Sequence, residues 1–258
     1  MDKPRPGPHH AAMDLLHIWL IGAVFLSAGV VKGVSGMGLP TFSIALLGLA
    51  MPPATAATLV LLPSLVTNLA QCLGPNTLAL LRRLWPLWLG SALATVFSPL
   101  PDLGSAGPAT RITLGAVLVA YGLWGLARPG LPDFSRYPRA AGGVAGVLSG
   151  LLTAATGVFV MPLVPYLQTL RLEKDAFVQA LGISFLVATL ALAVRLGHIA
   201  ASSGASVPLA GHALALVTAC AGVWLGARLR QRLPVPVFQR ALYGVFIALG
   251  ALMLARAW

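Results

Sequence analysis

The sequence predicts an all-α integral membrane protein built from two related halves. Of its 258 residues, 58% are hydrophobic and only 9% are charged, whereas about a quarter of an average soluble domain is charged. The mean hydropathy is +0.88. Apolar residues run continuously instead of alternating at period two, which favours helices over a β-barrel. A glycine-rich motif also occurs once in each half.

Ten apolar segments can be read along the chain, and several reach the length of about 20 residues that a transmembrane helix needs. Three segments that border the glycine motifs are shorter, about 20 Å long at 1.5 Å per residue. These three, at 38–50, 140–154 and 156–170, predict half-helices or a re-entrant hairpin. The ten segments lie at 15–31, 38–50, 54–73, 84–100, 108–127, 140–154, 156–170, 176–194, 206–227 and 236–257.

The two glycine motifs predict an inverted repeat. Aligning Gly33 with Gly150 places Gly36 opposite Thr153, and each half then contains five apolar segments, of which two form a glycine-broken short-helix hairpin. An odd number of segments per half inverts the second half relative to the first. In transporters, broken helices of this kind hold substrates and ions near the bilayer midplane.

The basic residues predict the topology. If every segment crosses, ten of them fall on one side, which the positive-inside rule assigns to the cytoplasm, with both termini outside. We therefore expect a tail at 1–14, a first membrane repeat at 15–127, a cytoplasmic linker at 128–139 and a second membrane repeat at 140–258. The ten are Arg82, Arg83, Arg128, Arg136, Arg139, Arg171, Lys174, Arg228, Arg230 and Arg232, and the opposite side has Lys3, Arg5, Arg111, Arg195 and Arg256.

The charge also argues against a nucleic-acid partner. The formal net charge is +11, but the basic residues sit at segment ends and form no continuous basic face. The expected surroundings are a lipid bilayer, and the oligomeric state stays open.

Each glycine-broken hairpin is a candidate anion site. A helix that restarts after a break presents backbone N–H groups and the positive end of its dipole. In the first motif, the glycines permit close approach to the backbone, and Ser35 supplies a hydroxyl. In the second motif, two threonines and a glycine take the equivalent places. The alternative is that the glycines let helices pack closely. The candidates are Gly33, Ser35, Gly36 and Gly38 in the first motif, and Thr153, Thr156 and Gly157 in the second.

Lys32 is the charged residue beside the first hairpin tip. A lysine buried at that depth is a functional-site candidate, and the alternative is a side chain that snorkels to the surface. Polar residues at helical spacing in the following helices either line a pathway or join helices by hydrogen bonds. We favour a pathway for Ser64 and Asn68; the others are Thr67, Gln71, Gln179, Ser184 and Thr189.

The acidic residues all lie at segment ends or in connections, so no carboxylate is expected in the membrane interior. This favours an anion over a cation as the substrate. We expect no cofactor and no metal site, because Cys72 and Cys220 have neither zinc-site nor redox-pair spacing and are predicted to be buried small hydrophobes. His198 and His212 are predicted to be interfacial. The six acidic residues are Asp2, Asp14, Asp102, Asp133, Glu173 and Asp175.

At these motifs the chain resembles the TauE/SafE family of sulfite-exporter-like membrane proteins, over about residues 15 to 257. The resemblance rests on the Gly-x-x-Gly-x-Gly tip that begins at Gly33, the Pro-Pro-Ala-x-Ala-Ala-Thr stretch at 52–58, the second tip ending at Met161-Pro162, and Leu-Gly-Ala-Arg-Leu at 225–229. It implies a multi-pass transporter of the bacterial cytoplasmic membrane that exports a small sulfur-containing anion such as sulfite or an organosulfonate.

Two other functions stay open at this point. Residues 33–36 also resemble the Gly-x-Ser-Gly of rhomboid intramembrane proteases, in which case His198 or His212 would have to serve as the base for Ser35. A membrane assembly protein without transport is the other alternative. A second, inverted copy of the motif favours transport over the protease, which has no need of one.

Overall fold

The structure is a computed structural model that describes residues 8–100, 108–127, 134, 137–203 and 208–256, with the backbone alone described at 8–17, 108, 198–203 and 235. Within these ranges the chain forms ten α-helices and no strand, which confirms the all-α class. They are α1 (Pro8–Ser35), α2 (Leu39–Leu47), α3 (Pro53–Cys72), α4 (Thr77–Val96), α5 (Pro108–Ala127), α6 (Pro138–Thr156), α7 (Leu163–Thr169), α8 (Lys174–Ser203), α9 (Leu209–Leu229) and α10 (Val235–Ala255).

Six of the described helices are long and apolar enough to cross a membrane: α1, α3, α5, α8, α9 and α10. Helices α4 and α6 have nearly the same length, 20 and 19 residues. They are less apolar because α4 contains Arg82 and Arg83 and α6 is rich in glycine. The pattern is that of a multi-pass membrane protein.

The short helices are the second arms of the two hairpins. Helix α2 has nine residues and α7 has seven, which agrees with the prediction for 38–50 and 156–170. The prediction of a half-helix at 140–154 was wrong, because α6 has 19 residues and begins at Pro138. Proline suits the first turn of a helix, where its missing N–H costs no hydrogen bond.

The predicted boundaries shift where helices extend into the connections. Helix α1 begins at Pro8, inside the predicted tail at 1–14, and α6 begins at Pro138, inside the predicted linker at 128–139. Most of that linker lies outside the described residues.

Glycines bring two helix pairs into backbone contact. A Cβ added to Gly33 of α1 would lie 2.4 Å from the carbonyl oxygen of Val223 in α9, and one added to Gly146 of α6 would lie 2.1 Å from that of Leu87 in α4. No side chain fits at such distances. Close approach through small residues is a common way for membrane helices to associate, because lipid tails compete with larger apolar side chains.

The helix contacts follow one scheme in both halves. The first helix of each half packs on the fourth helix of the other half, so that α1 contacts α9 and α6 contacts α4. Each pair is parallel: Gly22 faces Leu214 and Gly33 faces Val223, so residue numbers rise together along α1 and α9.

The remaining equivalent helices pair with each other. Helix α3 packs on α8 and α5 packs on α10. The α5–α10 pair is antiparallel, because Gly115 lies against Gly250 and Gly122 lies against Tyr243. Inverted halves related by a two-fold axis in the membrane plane would produce these pairings and directions. The inverted relation stays a prediction that the packing supports.

Reporter fusions test the topology. A reporter fused at Arg136 should give a cytoplasmic signal and one fused after the last residue should give a periplasmic signal, because ten basic residues favour the cytoplasmic side. A cytoplasmic signal from both fusions would contradict the inverted arrangement.

Candidate functional site

The tips of the two hairpins have the same backbone construction. Helices α1 and α6 both end at a glycine in the left-handed conformation, Gly36 with φ 80° and Gly157 with φ 69°. The N–H of Gly36 donates to the carbonyl of Lys32 at 2.7 Å, and the N–H of Gly157 donates to that of Thr153 at 2.8 Å. Glycine has no Cβ penalty in this conformation, which is why it ends helices in this way.

A hydroxyl residue precedes each of these glycines and bonds identically. Ser35 Oγ donates to a carbonyl one turn earlier at 2.7 Å and accepts from the N–H of Met37 at 3.3 Å. Thr156 Oγ1 does the same at 2.6 Å, and accepts from the N–H of Val158 at 3.1 Å. Both hydroxyls are therefore engaged in hydrogen bonds within their own tip.

This shared construction corrects the sequence alignment of the two motifs. Gly36 is equivalent to Gly157, and Ser35 to Thr156, whereas the alignment placed Gly36 opposite Thr153. The alignment is wrong by one helical turn. Because a helix repeats about every 3.6 residues, a shift of one turn still aligns residues on the same faces of the two helices, and the residue types could not reveal the misalignment.

Lys32 is buried at the first tip, with 4% of its surface exposed. Its Nζ donates a hydrogen bond to Oδ1 of Asn68 in α3. The side chain therefore does not snorkel. Among the described side chains, Lys32 and Arg195 are the charged ones that are buried, and both are basic.

Beside Lys32, two donors on one face of α3 are left without partners. Asn68 Nδ2 and Ser64 Oγ are buried and have no hydrogen-bond partner among the described residues. They lie four residues apart and hence on the same side of the helix. A buried polar group without a partner costs about 1–3 kcal/mol, which points to a ligand that supplies the missing acceptor.

The start of α2 turns back onto α1. Gly38, with φ 97°, precedes α2, and a Cβ there would lie 3.2 Å from the side chain of Val31, the sequence neighbour of Lys32. The N-terminal end of α2 thus returns to the last turns of α1. The hydroxyls of Thr41 and Ser43 on α2 are also buried and have no partner within the described part of the chain.

Gln71 holds the first tip in place. Its Nε2 donates to the carbonyl of Gly36 at 3.0 Å and to that of Val178 in α8 at 3.1 Å. Of the two alternatives that its helical spacing with Ser64 and Asn68 left open, these bonds match the one in which polar residues join helices.

The second tip offers fewer free groups. Thr153 Oγ1 donates to the carbonyl of Val158 at 3.3 Å, and Thr156 is engaged as described above. The ring of Phe159 packs on Phe185 in α8, with centroids 6.4 Å apart. Phe185 is seven residues beyond Val178, about 10 Å along the helix at 1.5 Å per residue. The second tip therefore contacts α8 directly, and the first tip is joined to a neighbouring stretch of α8 through Gln71.

Other predicted residues have packing or bridging roles. Gly33 faces the backbone of α9, as the packing alternative requires. Ser184 accepts from Trp88 Nε1 at 2.9 Å, and Gln179 accepts from the N–H of Asn76 at 3.1 Å. Thr189 donates to a carbonyl of its own helix. The alternative in which polar residues join elements by hydrogen bonds therefore applies to Ser184 and Gln179, whereas Thr189 bonds within α8.

Arg195, which the topology assigns to the side opposite the cytoplasm, is buried, with 9% of its surface exposed. Its guanidinium donates to carbonyls at the C-terminal end of α4 and just beyond it, including those of Thr95, Ser98 and Leu100, each at 3.2 Å. A cation at a helix C-terminus is favoured by the helix dipole. Arg195 therefore caps the C-terminal end of α4.

The cysteines differ from each other. Cys72 is buried, as predicted, but Cys220 is exposed on α9, where the prediction was wrong. Within the described ranges, no group of three or more His, Cys, Asp or Glu side chains is placed to hold a metal ion.

Cross-linking tests whether the two tips approach each other. In a background without native cysteines, Ser35→Cys and Thr156→Cys should be joined by a short bifunctional reagent, since Gln71 links the first tip to α8 about 10 Å along that helix from the contact of the second tip. A pair of cysteines on the outer faces, at Leu81 and Leu190, provides the control that should not react. Cross-linking only with reagents longer than about 20 Å, roughly 13 residues of helix, would rule out a shared site.

Comparison with known proteins agrees with this architecture. The family model described as sulfite exporter TauE/SafE matches residues 20–253. A search of curated proteins finds no match, and neither does a search of solved structures. The family match spans all ten described helices, including both tips. The chain belongs to the sulfite exporter TauE/SafE family, a family of membrane transporters.

Proposed function

We propose that the protein exports a small sulfur-containing oxyanion, such as sulfite or an organosulfonate, across the bacterial cytoplasmic membrane. The anion binds at the first tip, between Lys32, Asn68 and Ser64. One observation carries the proposal: a buried ammonium lies beside unpartnered hydrogen-bond donors, and no described carboxylate is buried with it.

The electrostatics of this cluster favour an anion. A buried charge without a counter-ion is destabilising by several kcal/mol, and a partner of opposite sign offsets much of that cost. The acidic side chains that the structure describes, Glu173 and Asp175, are exposed at the start of α8. The counter-ion of Lys32 is therefore supplied by the substrate.

The tips complete the proposed site with backbone groups. The left-handed glycines Gly36 and Gly38 turn the chain back on itself, so that the N-terminal end of α2 returns to α1 at Val31, the sequence neighbour of Lys32. Such an end carries a partial positive charge. In the second tip, Gly157 shapes the loop, and Thr153 and Thr156 hold it by internal hydrogen bonds. We assign these residues to the opposite wall of the site.

The protease alternative receives no support. Gly33 contacts the stretch of α9 around Val223, whereas His212 lies in the first turn of that helix and contacts Pro208. The separation along α9 is about 15 Å or more at 1.5 Å per residue, too far for a hydrogen bond to Ser35. His198 is on α8, about 30 Å beyond Val178 by the same measure. No specific observation favours an assembly role without transport.

Flux measurements test the proposal. Purified protein in liposomes should accelerate the movement of labelled sulfite or methanesulfonate, but not of choline, compared with protein-free liposomes. If the direction is export, liposomes in which the cytoplasmic face of the protein points outward should take up more anion than liposomes with the opposite orientation. Equal flux with and without protein for both anions would overturn the proposal.

A further inference from the structure

The charge inventory of the first tip limits the charge of its substrate. Lys32 is the single buried charge at that tip among the described side chains, since the other buried cation, Arg195, donates to carbonyls at the end of α4. Gly182 touches Gln71 near the tip, and Arg195 is thirteen residues farther along α8, about 20 Å away. Arg195 therefore does not share the site.

The other ligands at the tip are neutral. Asn68 Nδ2 and Ser64 Oγ donate hydrogen bonds without adding charge, and both are buried. A monoanion against the Lys32 ammonium forms a neutral pair. A dianion leaves one net negative charge in a low-dielectric interior, where an uncompensated charge is strongly unfavourable.

We propose that the site selects monoanions: an organosulfonate, or sulfite in its singly protonated form, in preference to sulfate or doubly charged sulfite. This inference rests on the proposed function and specifies the substrate class of the same site. It predicts that the apparent affinity for sulfite follows the fraction of the protonated ion.

Competition binding on the purified protein tests this selectivity. Methanesulfonate stays a monoanion and sulfate a dianion on both sides of neutral pH, whereas sulfite changes its charge there. We expect sulfate to bind at least a hundredfold more weakly than methanesulfonate. The affinity for sulfite, relative to methanesulfonate, should fall about tenfold for each pH unit above the second dissociation of sulfite.

The methanesulfonate series controls for titration of the protein. The ionisable groups on the elements around Lys32 are Cys72 on α3, His212, Cys220 and Arg228 on α9, and Arg240 and Tyr243 on α10, and any change in them affects both ligands alike. Cys72→Ala should leave the ratio unchanged. Sulfate binding within tenfold of methanesulfonate would overturn the inference, whereas no binding of any of the three anions would overturn the proposed function instead.

A second inference comes from a difference between the halves. The α5–α10 pair packs against the first tip. The ring of Phe246 in α10 packs edge-on against that of Phe42 in α2, with centroids 6.4 Å apart, and the Tyr121 hydroxyl of α5 lies 3.7 Å from the sulfur of Met37. Helix α10 packs on α2, but α5 does not pack comparably on the equivalent helix α7, whose neighbours are α6 and α8.

An apolar cavity occupies the corresponding place at the second tip. It has a volume of about 420 Å³ and lies between Val117 and Ala120 of α5, Leu151 of α6, and Met161 and Pro162 of the tip. Helices α5 and α10 meet through Gly115, Gly122 and Gly250 at backbone distance, the packing of two helices that form one unit.

We infer that the α5–α10 pair is the moving element of transport and rocks from the first tip to the second. In the opposite state α5 closes the cavity at Met161, and α10 leaves Phe42. Inverted repeats exchange their conformations in this way when access alternates.

Two cysteine pairs separate the states, in a background with Cys72→Ala and Cys220→Ala. The rings of Phe42 and Phe246 meet at their ends, so cysteines at these positions need a short spanning reagent. Phe42→Cys with Phe246→Cys should be joined by a short, reducible bifunctional thiol reagent in the state seen here, and Val117→Cys with Met161→Cys should be joined only after the cavity closes. We expect each bond to stop transport, reduction to restore it, and the two bonds to exclude each other when all four cysteines are present.

Three results would overturn this inference. They are transport that continues with either bond fully formed, both bonds in the same molecule, and a Val117–Met161 pair that never closes because lipid or a second copy fills the cavity. Since bond formation does not depend on the transported anion, such a failure would leave the proposed function standing.

Discussion

Gly33→Ala is expected to destabilise the protein strongly even though alanine adds one methyl group. The added Cβ would lie 2.4 Å from the carbonyl oxygen of Val223 and 2.7 Å from the amide of Ala227. Both atoms belong to the backbone, so α1 and α9 must move apart as whole helices. Overpacking in a well-packed interior costs about 1–3 kcal/mol. Thermal unfolding in detergent should show the loss as a lower midpoint.

Gly244→Ala is the matched control. Gly244 lies within a helix, as Gly33 does, but nothing approaches within 4 Å of its Cβ position. Alanine is favoured over glycine in a helix by about 1 kcal/mol, so this variant should be as stable as the parent protein or more stable. If Gly33→Ala unfolds like the parent but loses transport, Gly33 belongs to the substrate site and the packing interpretation is wrong.

Lys32→Met is expected to weaken anion binding at least tenfold, equivalent to about 1.4 kcal/mol. Methionine keeps much of the length and the apolar stem of lysine but removes the ammonium that donates to Asn68. The bound anion would then be buried without a counter-ion, which is strongly unfavourable. Titration with methanesulfonate, followed by flux in liposomes, measures the effect.

Lys32→Arg keeps the positive charge and should keep much of the binding. Asn68→Leu should also weaken binding, because it removes the unpartnered Nδ2 donor, while leaving the charge in place. Both variants need the same elution profile as the parent protein, which shows that they are folded. Unchanged transport by Lys32→Met would eliminate the charge from the mechanism.

Much of the architecture could be predicted from the sequence, because it depends on local properties. Continuous apolar runs predicted ten helical segments, and the described ranges contain ten helices. The glycines at 36, 38 and 157 predicted the breaks, since a left-handed backbone favours glycine. The acidic residues were predicted to lie at segment ends, and the two whose side chains are described, Glu173 and Asp175, are exposed at the start of α8.

The tertiary structure decided what depends on neighbours far away in sequence. A helical face repeats about every 3.6 residues, so sequence alone left the register of the two tips uncertain by one turn, and a glycine such as Gly33 looked the same whether it bound substrate or packed on α9. The burial of Lys32 and Arg195 depends on Asn68 and on the end of α4, respectively. Periodicity determines which helices form, but the distant helix that meets each face determines which residues are buried, paired or free to bind.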